Sequence, residues 1–424
     1  MAHKNRSKED REIAQAAYWR VAKPLLSVPQ LAELVKVSRT TLDRRIARAM
    51  RKGWIANDWI FKEKPDGLFE VLAELEDADL KQHLTEKYGK INLPKLTIVP
   101  GWPAEFANIK SGKKGAEDTE DIDDINMRLV AHIAAKVFRD QLPRMKVIGL
   151  SYGRTLYQMI DVLEYFSSSV RSKLAEGQSD AKRTIVTIFG ALSFSFKDKR
   201  HGEWLENSAS HLTNRLAGIL GTHMCKRQFL ESPVYVPPAF LDQFDGKKTG
   251  STEISEISKK LNEAEALQIA KAFVEAIPTY HDVFGRGEES AIKQLDTVIT
   301  SVGDLDTGFG SVPKDEPAPL LREGEREKLC DEAVGDIAGC YVTKDGTTGE
   351  PGSTIAEVNN RIFGLTIEDL ERIAQRAVNE DKPGVIVIAS SKKKARVISA
   401  LLNRQRQRKV ISELIISGDL AEEL

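Results

Sequence analysis

Apolar side chains recur at helical spacing in two short stretches within residues 27–55. The apolar faces consist of Leu31, Ala32 and Val35 in the first stretch and of Leu42, Ile46 and Ala49 in the second. Val37 lies at the corner between the two stretches, and Ser38 is a suitable N-cap for the second helix. The pattern therefore predicts two short helices joined by a tight turn.

The outer face of the second predicted helix is basic and polar, which suits contact with phosphates and base edges in a major groove. The candidates for DNA contact on this face are Arg39, Thr40, Thr41, Arg44, Arg45 and Arg48. Lys36 occupies the position where such a turn usually has Gly, and a left-handed backbone there would cost about 1 kcal/mol. The spacing indicates a helix-turn-helix; the alternative is a basic helix pair used only for packing or partner contact.

Beyond residue 61, predicted strands alternate with predicted helices, which favours an α/β fold with a doubly wound, largely parallel sheet. The predicted strands are Leu96–Val99, Thr184–Phe189, Leu295–Val302, Val385–Ala389 and Val410–Ile416. The predicted helices are Phe69–Tyr88, Ile125–Leu142, Ser208–Gly221 and one through Leu402. Residues 55–61 predict a small wing or closing strand, and residues 110–124 and 240–258 predict surface insertions.

Residues 146–160 predict a strand, a glycine-containing turn and the start of a helix. Gly149 and Gly153 allow the backbone to approach a ligand, and the helix offers its positive end. Four residues surround this turn with polar groups: Ser151, Tyr152, Arg154 and Thr155. The arrangement predicts a cradle for a phosphate or another anion, and Gly190, after another predicted strand, lies at the same edge of the sheet.

The same Gly149–Gly153 segment matches the nucleophile elbow of α/β-hydrolases, in which Ser151 would be the nucleophile. A hydrolase triad of that type also needs a histidine late in the chain. The last histidine is His281, and over a third of the sequence follows it. The phosphate cradle is therefore the favoured interpretation, with the elbow and a purely structural turn as alternatives.

Charge is distributed unevenly along the 424 residues, although the net charge is only −1. Residues 1–56 contain 13 Lys or Arg against 5 Asp or Glu, whereas the remainder is acidic. A basic head on an acidic body fits a DNA-binding module joined to a second domain. Three cysteines without metal-ligand spacing and the absence of a long apolar run predict a cytoplasmic protein without a membrane span, metal or cofactor.

Five segments together resemble the SorC/DeoR-type family of sugar-responsive bacterial transcription regulators. They are Leu31–Ile55, Leu72–Pro100, Gly149–Leu156, Gly335–Gly346 with its Gly-Asp-Ile, and Ala389–Leu401. The resemblance covers nearly the whole chain outside the insertions. Ser151 and the pair Ser390–Ser391 stand where the family has glycines, and Lys394 stands at the family's lysine.

The resemblance implies three parts: a helix-turn-helix domain (1–61), a linker or dimerisation helix (62–95) and a sugar-binding effector domain (96–424). The effector domain would be Rossmann-like, similar to sugar-phosphate isomerases but retained as a sensor. Asp336 and Lys394 would contact the effector, a sugar or sugar phosphate. From the residues alone, Asp336 serves equally well as a turn cap and Lys394 as a solvated charge.

The sequence therefore predicts a regulator that binds operator DNA as a homodimer or homotetramer under the control of a carbohydrate effector. The alternatives are an isomerase-like or hydrolytic enzyme carrying a DNA-binding head, and a DNA-binding protein without a small ligand.

Overall fold

Seven strands form one sheet in the order β1-β10-β9-β5-β2-β3-β4, and every neighbouring pair is parallel. The computed structural model describes residues 8–22, 27–55, 78–89, 94–99, 122–176, 182–189, 208–230, 235–242, 262–285, 287–305, 321–322 and 324–424. The strands are β1 (Lys95–Val99), β2 (Val147–Leu150), β3 (Arg183–Thr187), β4 (Cys225–Gln228), β5 (Thr297–Thr300), β6 (Val302–Asp304), β7 (Ala333–Ile337), β8 (Cys340–Thr343), β9 (Gly384–Ala389) and β10 (Glu413–Ser417). The predicted doubly wound parallel sheet is confirmed.

Helices flank the sheet and form the amino-terminal head. The first eight are α1 (Lys8–Ala22), α2 (Val28–Leu34), α3 (Arg39–Arg51), α4 (Ala78–Tyr88), α5 (Ile122–Gln141), α6 (Arg154–Tyr165), α7 (Ser167–Glu176) and α8 (Ala209–Leu220). The others are α9 (Pro238–Leu241), α10 (Glu263–Glu275), α11 (Pro278–Phe284), α12 (Ala291–Gln294), α13 (Glu325–Glu332), α14 (Thr354–Arg361), α15 (Ile367–Glu380), α16 (Ala395–Arg404) and α17 (Gly418–Glu422). Two 3-10 turns cover Leu142–Arg144 and Lys392–Lys394.

The central strands are buried on both faces, which explains their uninterrupted apolar sequences. All six residues of β9 and all five of β10 are buried. Because helices cover both faces, these strands show no polar alternation, and their positions in the sequence are correspondingly easy to recognise.

A second, three-stranded antiparallel sheet (β6-β7-β8) packs beside the main sheet and was not predicted. Its strands are three to five residues long, and β7 contains Gly335. Asp336 therefore lies inside a strand, although its carboxylate also serves the following turn, as described below.

The structure places one end of each predicted insertion, residues 110–124 and 240–258, in a helix. Residues 122–124 belong to α5, and residues 240–241 belong to α9, where Leu241 is fully buried. These ends continue helices instead of forming loops. The remainder of both insertions, and residues 56–61 of the predicted wing, lie outside the described residues.

Within the described ranges, no helix combines the length and the apolar character needed to cross a bilayer. Cys225, Cys330 and Cys340 are free thiols. Burial raises the pKa of Cys225 to about 11 and that of Cys340 to about 12, so both are protonated and unreactive at neutral pH.

Candidate functional site

The head is built from three helices, with α2 and α3 joined by the predicted tight turn. Ser38 caps α3, since its Oγ accepts a hydrogen bond of 3.1 Å from the backbone N–H of Thr41. Lys36 has a φ of 54°, which is the left-handed conformation expected at this turn. Leu42, Ile46 and Ala49 of α3 are buried, as the apolar spacing predicted.

Helix α1 completes the apolar core of the head and had no counterpart in the sequence predictions. It packs against α3, and its buried residues are Ile13, Ala14, Ala16, Ala17, Tyr18 and Val21. The spacing of residues 13, 14, 17, 18 and 21 follows one helical face, so this signal was present in the sequence.

The six candidate DNA-contact residues differ in their surroundings: three are exposed, Thr41 is half-buried beside Ser38, and two form ion pairs with α1. Arg39, Thr40 and Arg44 are exposed on the outer face of α3, and Arg39 lies 3.6 Å from the carboxylate of Asp43. Thr41 is half-buried, with its Oγ1 2.8 Å from Oγ of Ser38. The three exposed residues are therefore well placed to enter a groove.

Arg45 and Arg48 point towards α1 instead. Arg45 forms an ion pair with Glu12, and Arg48 forms one with Glu9. Lys52, the C-cap residue of α3, pairs with Asp10 at 2.9 Å, so two cations of α3 and the one that follows it face three carboxylates of α1. These pairs attach α3 to α1 and offset the positive charge on this side of the head.

The predicted cradle lies at the topological switch point of the main sheet. From β2 the chain proceeds outwards through β3 to β4, then returns to β5 on the other side of β2. In open α/β sheets such a point forms a crevice beyond the carboxyl ends of the strands. The segment Ser151–Thr155 enters this crevice directly after β2 and leads into α6.

The backbone of the cradle requires its two glycines for different reasons. A Cβ on Gly149 would lie 2.7 Å from Cγ2 of Ile188 on the adjacent segment. Gly153 has a φ of 123° and caps the amino end of α6, with open space where a Cβ would be. Ser151 and Thr155 are buried, whereas Arg154 is exposed at the first position of α6.

Asp336 meets the cradle through Tyr152. The Tyr152 hydroxyl donates a hydrogen bond of 3.1 Å to Oδ2 of Asp336, and the N–H of Gly339 donates one of 3.0 Å to the same oxygen. The Tyr152 ring packs on Phe189 with centroids 4.6 Å apart. Asp336 therefore both caps the β7–β8 turn and joins the two segments that the resemblance placed at the effector.

Lys394 lies beside the same edge of the sheet. Its Nζ donates a hydrogen bond of 3.1 Å to Oγ of Ser301, the residue that follows β5. Because β5 lies between β2 and β9, this contact links the loop after β9 to the centre of the crevice. Gly190 is outside the described residues.

The geometry of Ser151 differs from that of a nucleophile elbow, whose serine sits on a sharp, strained turn. Among the described residues other than glycine, positive φ occurs at Lys36, Ala338 and Asp381. Ser151 is not in this group, and it is only 1% exposed. Its backbone N–H donates to the carbonyl of Ile299 at 3.1 Å, which ties it into the sheet.

Helix α1 also contacts the effector part of the chain. It touches α5 as well as α3, and the apolar core of the head continues into that of the main sheet. Burial and the nearby charge of Asp419 raise the pKa of Tyr18 above its ordinary value. Helix α1 therefore touches both α3 of the head and the domain that carries the cradle.

Comparison with solved structures gives a full-length match. The chain is similar to the full-length sorbitol operon regulator SorC from Klebsiella pneumoniae, with 15% identity, a TM-score of 0.51 and coverage of 98% of this chain and 99% of that one. It is also similar to a DeoR family transcriptional regulator from Listeria monocytogenes (19% identity, TM-score 0.46, 81% and 98% covered). A transcriptional regulator from Streptococcus pneumoniae TIGR4 matches with 16% identity, a TM-score of 0.47 and coverage of 81% and 95%.

No protein-family model matches the sequence, and no curated protein matches it. The likeness to full-length SorC shows that the two chains share their fold, which confirms the resemblance at that level.

Proposed function

We propose that this chain is a transcription regulator whose effector domain binds a sugar or a sugar phosphate and thereby controls DNA binding by the helix-turn-helix. The observation that carries the proposal is the combination, in one chain, of an exposed basic face on α3 and a polar crevice at the switch point of the sheet. The full-length likeness to a protein described as a sorbitol operon regulator supports it.

The DNA-binding role rests on the exposed group of α3 residues. Arg39, Thr40 and Arg44 lie at the amino end and outer face of this helix, the part that enters the major groove in helix-turn-helix proteins. Arg45 and Arg48 hold α3 against α1 through their ion pairs and so fix the position of this surface. Thr41 contributes through the cap of α3, where it contacts Ser38.

The effector-binding role rests on the chemistry of the crevice. The Asp336 carboxylate and the Tyr152 hydroxyl suit the hydroxyl groups of a sugar, which both donate and accept hydrogen bonds. Arg154, the amino end of α6 and Lys394 suit an anionic group such as a phosphate. A sugar phosphate would use both sets of groups.

Communication between the two parts runs through α1. An effector that prefers one arrangement of α5 shifts the position of α1, and with it α3, because α1 contacts both helices. In a homodimer or homotetramer this shift changes the spacing between paired recognition helices, which sets operator affinity. The chain then acts as a sensor and catalyses no reaction on the effector.

Fluorescence anisotropy with labelled DNA from upstream of the chain's own gene tests this proposal, in the absence and presence of a panel of sugars and sugar phosphates. We expect specific binding whose affinity one carbohydrate changes by five-fold or more. An absence of sequence-specific binding at low salt would contradict the proposal. Turnover of the same compounds would instead favour an isomerase-like enzyme carrying a DNA-binding head.

A further inference from the structure

A second cavity, open to solvent, lies beside the small antiparallel sheet, and none of the residues placed in the crevice lines it. Its volume is about 540 Å³, within the range of cavities that hold small molecules. The charged residues that line it are Asp304 of β6, Lys344 after β8, Lys392 and Lys393 of the 3-10 turn, Arg396 at the start of α16, and Glu423.

The cavity and the crevice lie on opposite sides of β7. A Cβ on Gly335 would lie 2.4 Å from Cγ2 of Val397, so this residue faces α16, which supplies part of the cavity wall. The next residue, Asp336, faces Tyr152 in the crevice. Lys394 reaches towards Ser301, whereas its neighbours Lys392 and Lys393 line the cavity.

The lining of the cavity is rich in positive charge. Lys344, Lys392, Lys393 and Arg396 outnumber the two carboxylates, Asp304 and Glu423. The guanidinium group presents several N–H donors in a planar fork that matches phosphate oxygens, and the ammonium groups supply further charge. This composition selects a compact anion of more than one negative charge.

The cavity also adjoins helix α4, which connects the head to the effector domain in sequence. Ser399 lines the cavity, and its Oγ lies 3.0 Å from the hydroxyl of Tyr88 at the end of α4. Oγ of Ser399 is therefore placed between the cavity and α4.

We propose that this cavity is a second ligand site, which binds a small phosphorylated metabolite independently of the ligand in the crevice. Its occupancy stabilises the contact between Ser399 and Tyr88 and so holds α4 against α16. The proposal does not rest on the DNA-binding role, because anion binding alone tests it.

Calorimetric titration of the full-length protein with inorganic pyrophosphate is the test, carried out in an Arg154→Ala background so that the crevice contributes little. We expect saturable binding that the Lys393→Gln/Arg396→Gln pair weakens ten-fold or more. The control pair Lys226→Gln/Lys293→Gln removes the same charge from exposed positions elsewhere, and we expect it to change the affinity less than two-fold.

Equal effects of the two double variants would overturn the proposal, as would an absence of pyrophosphate binding in the Arg154→Ala background. If the cavity variant fails to fold, Glu423→Gln decides the matter, because removing a carboxylate from the lining is expected to tighten binding two- to five-fold. An unchanged affinity in Glu423→Gln would then contradict the site.

Discussion

The hydroxyl of Tyr152 lies 3.1 Å from Oδ2 of Asp336, although 184 residues separate them in the sequence. This hydrogen bond joins the loop after β2 to the strand β7 and brings together the two motifs that the sequence placed at an effector site. Asp336 is only 2% exposed, so its carboxylate depends on these donors for stabilisation.

We expect Tyr152→Phe to lower the free energy of unfolding by about 1–3 kcal/mol, because a buried carboxylate loses one of its donors. Urea denaturation measures the change. Tyr165→Phe is the control. This tyrosine is half exposed, so water can fill the space left by its hydroxyl and we expect a smaller loss of stability. A loss no larger than that of the control would mean that the hydrogen bond contributes little.

Gly339→Ala should destabilise the protein by about 2–4 kcal/mol, since the new methyl group would overlap Phe189 and the residue has a left-handed backbone. The Cβ would lie 2.0 Å from Cε2 of Phe189, and φ is 85°.

Gly218→Ala is the matched control for Gly339→Ala. Gly218 lies within α8 with nothing within 4 Å of its Cβ position, so we expect a gain of about 0.5–1 kcal/mol. Similar losses in both variants would contradict the packing described for Phe189.

Arg44→Ala should weaken operator binding by about 1–3 kcal/mol while leaving the thermal midpoint unchanged, because Arg44 is exposed on the outer face of α3. Anisotropy measures the operator affinity, and thermal unfolding measures the midpoint.

Arg45→Ala is the informative contrast. Its ion pair with Glu12 attaches α3 to α1, so we expect a lower thermal midpoint. Equal loss of operator binding in Arg44→Ala and in Arg171→Ala, an exposed arginine of α7, would rule out a specific contact by Arg44.

Stability should fall as the pH is lowered from 6.5 to 4, because burial and the charge of Arg128 lower the pKa of His132 to about 4. In this window the unfolded chain binds more protons than the folded one, so the folded state loses stability as pH falls. His132 lies in α5 and is partly exposed, which limits the expected loss to the order of 1–2 kcal/mol. His132→Gln should flatten this part of the pH profile, and His211→Gln, at an exposed position of α8, should leave it steep.

The local signals in the sequence predicted six of the described strands to within a few residues, namely β1, β2, β3, β5, β9 and β10, but not β4, β6, β7 or β8. Strands β9 and β10 were recognisable because full burial makes them continuously apolar. The turn at Lys36 and the cap at Ser38 follow from short-range backbone chemistry, and both are present.

Contacts between residues far apart in the sequence could not be predicted from local patterns. The proximity of Tyr152 to Asp336 depends on how β7 packs beside the main sheet, and strands as short as β6 leave little periodicity to read. The ion pairs of Arg45 and Arg48 with α1 join residues more than thirty positions apart, so the sequence alone does not separate these two arginines from the exposed Arg39 and Arg44.

We propose that a carbohydrate in the crevice controls DNA binding by the head, and reciprocal linkage tests this control most directly. The effector should change operator affinity by some factor, and operator DNA should change effector affinity by the same factor. In the wild-type protein we predict that both affinities change by the same factor, of five or more. In Arg154→Ala we predict a factor near one, with an unchanged DNA affinity in the absence of effector. Equal operator affinity with and without every carbohydrate that binds would contradict the account.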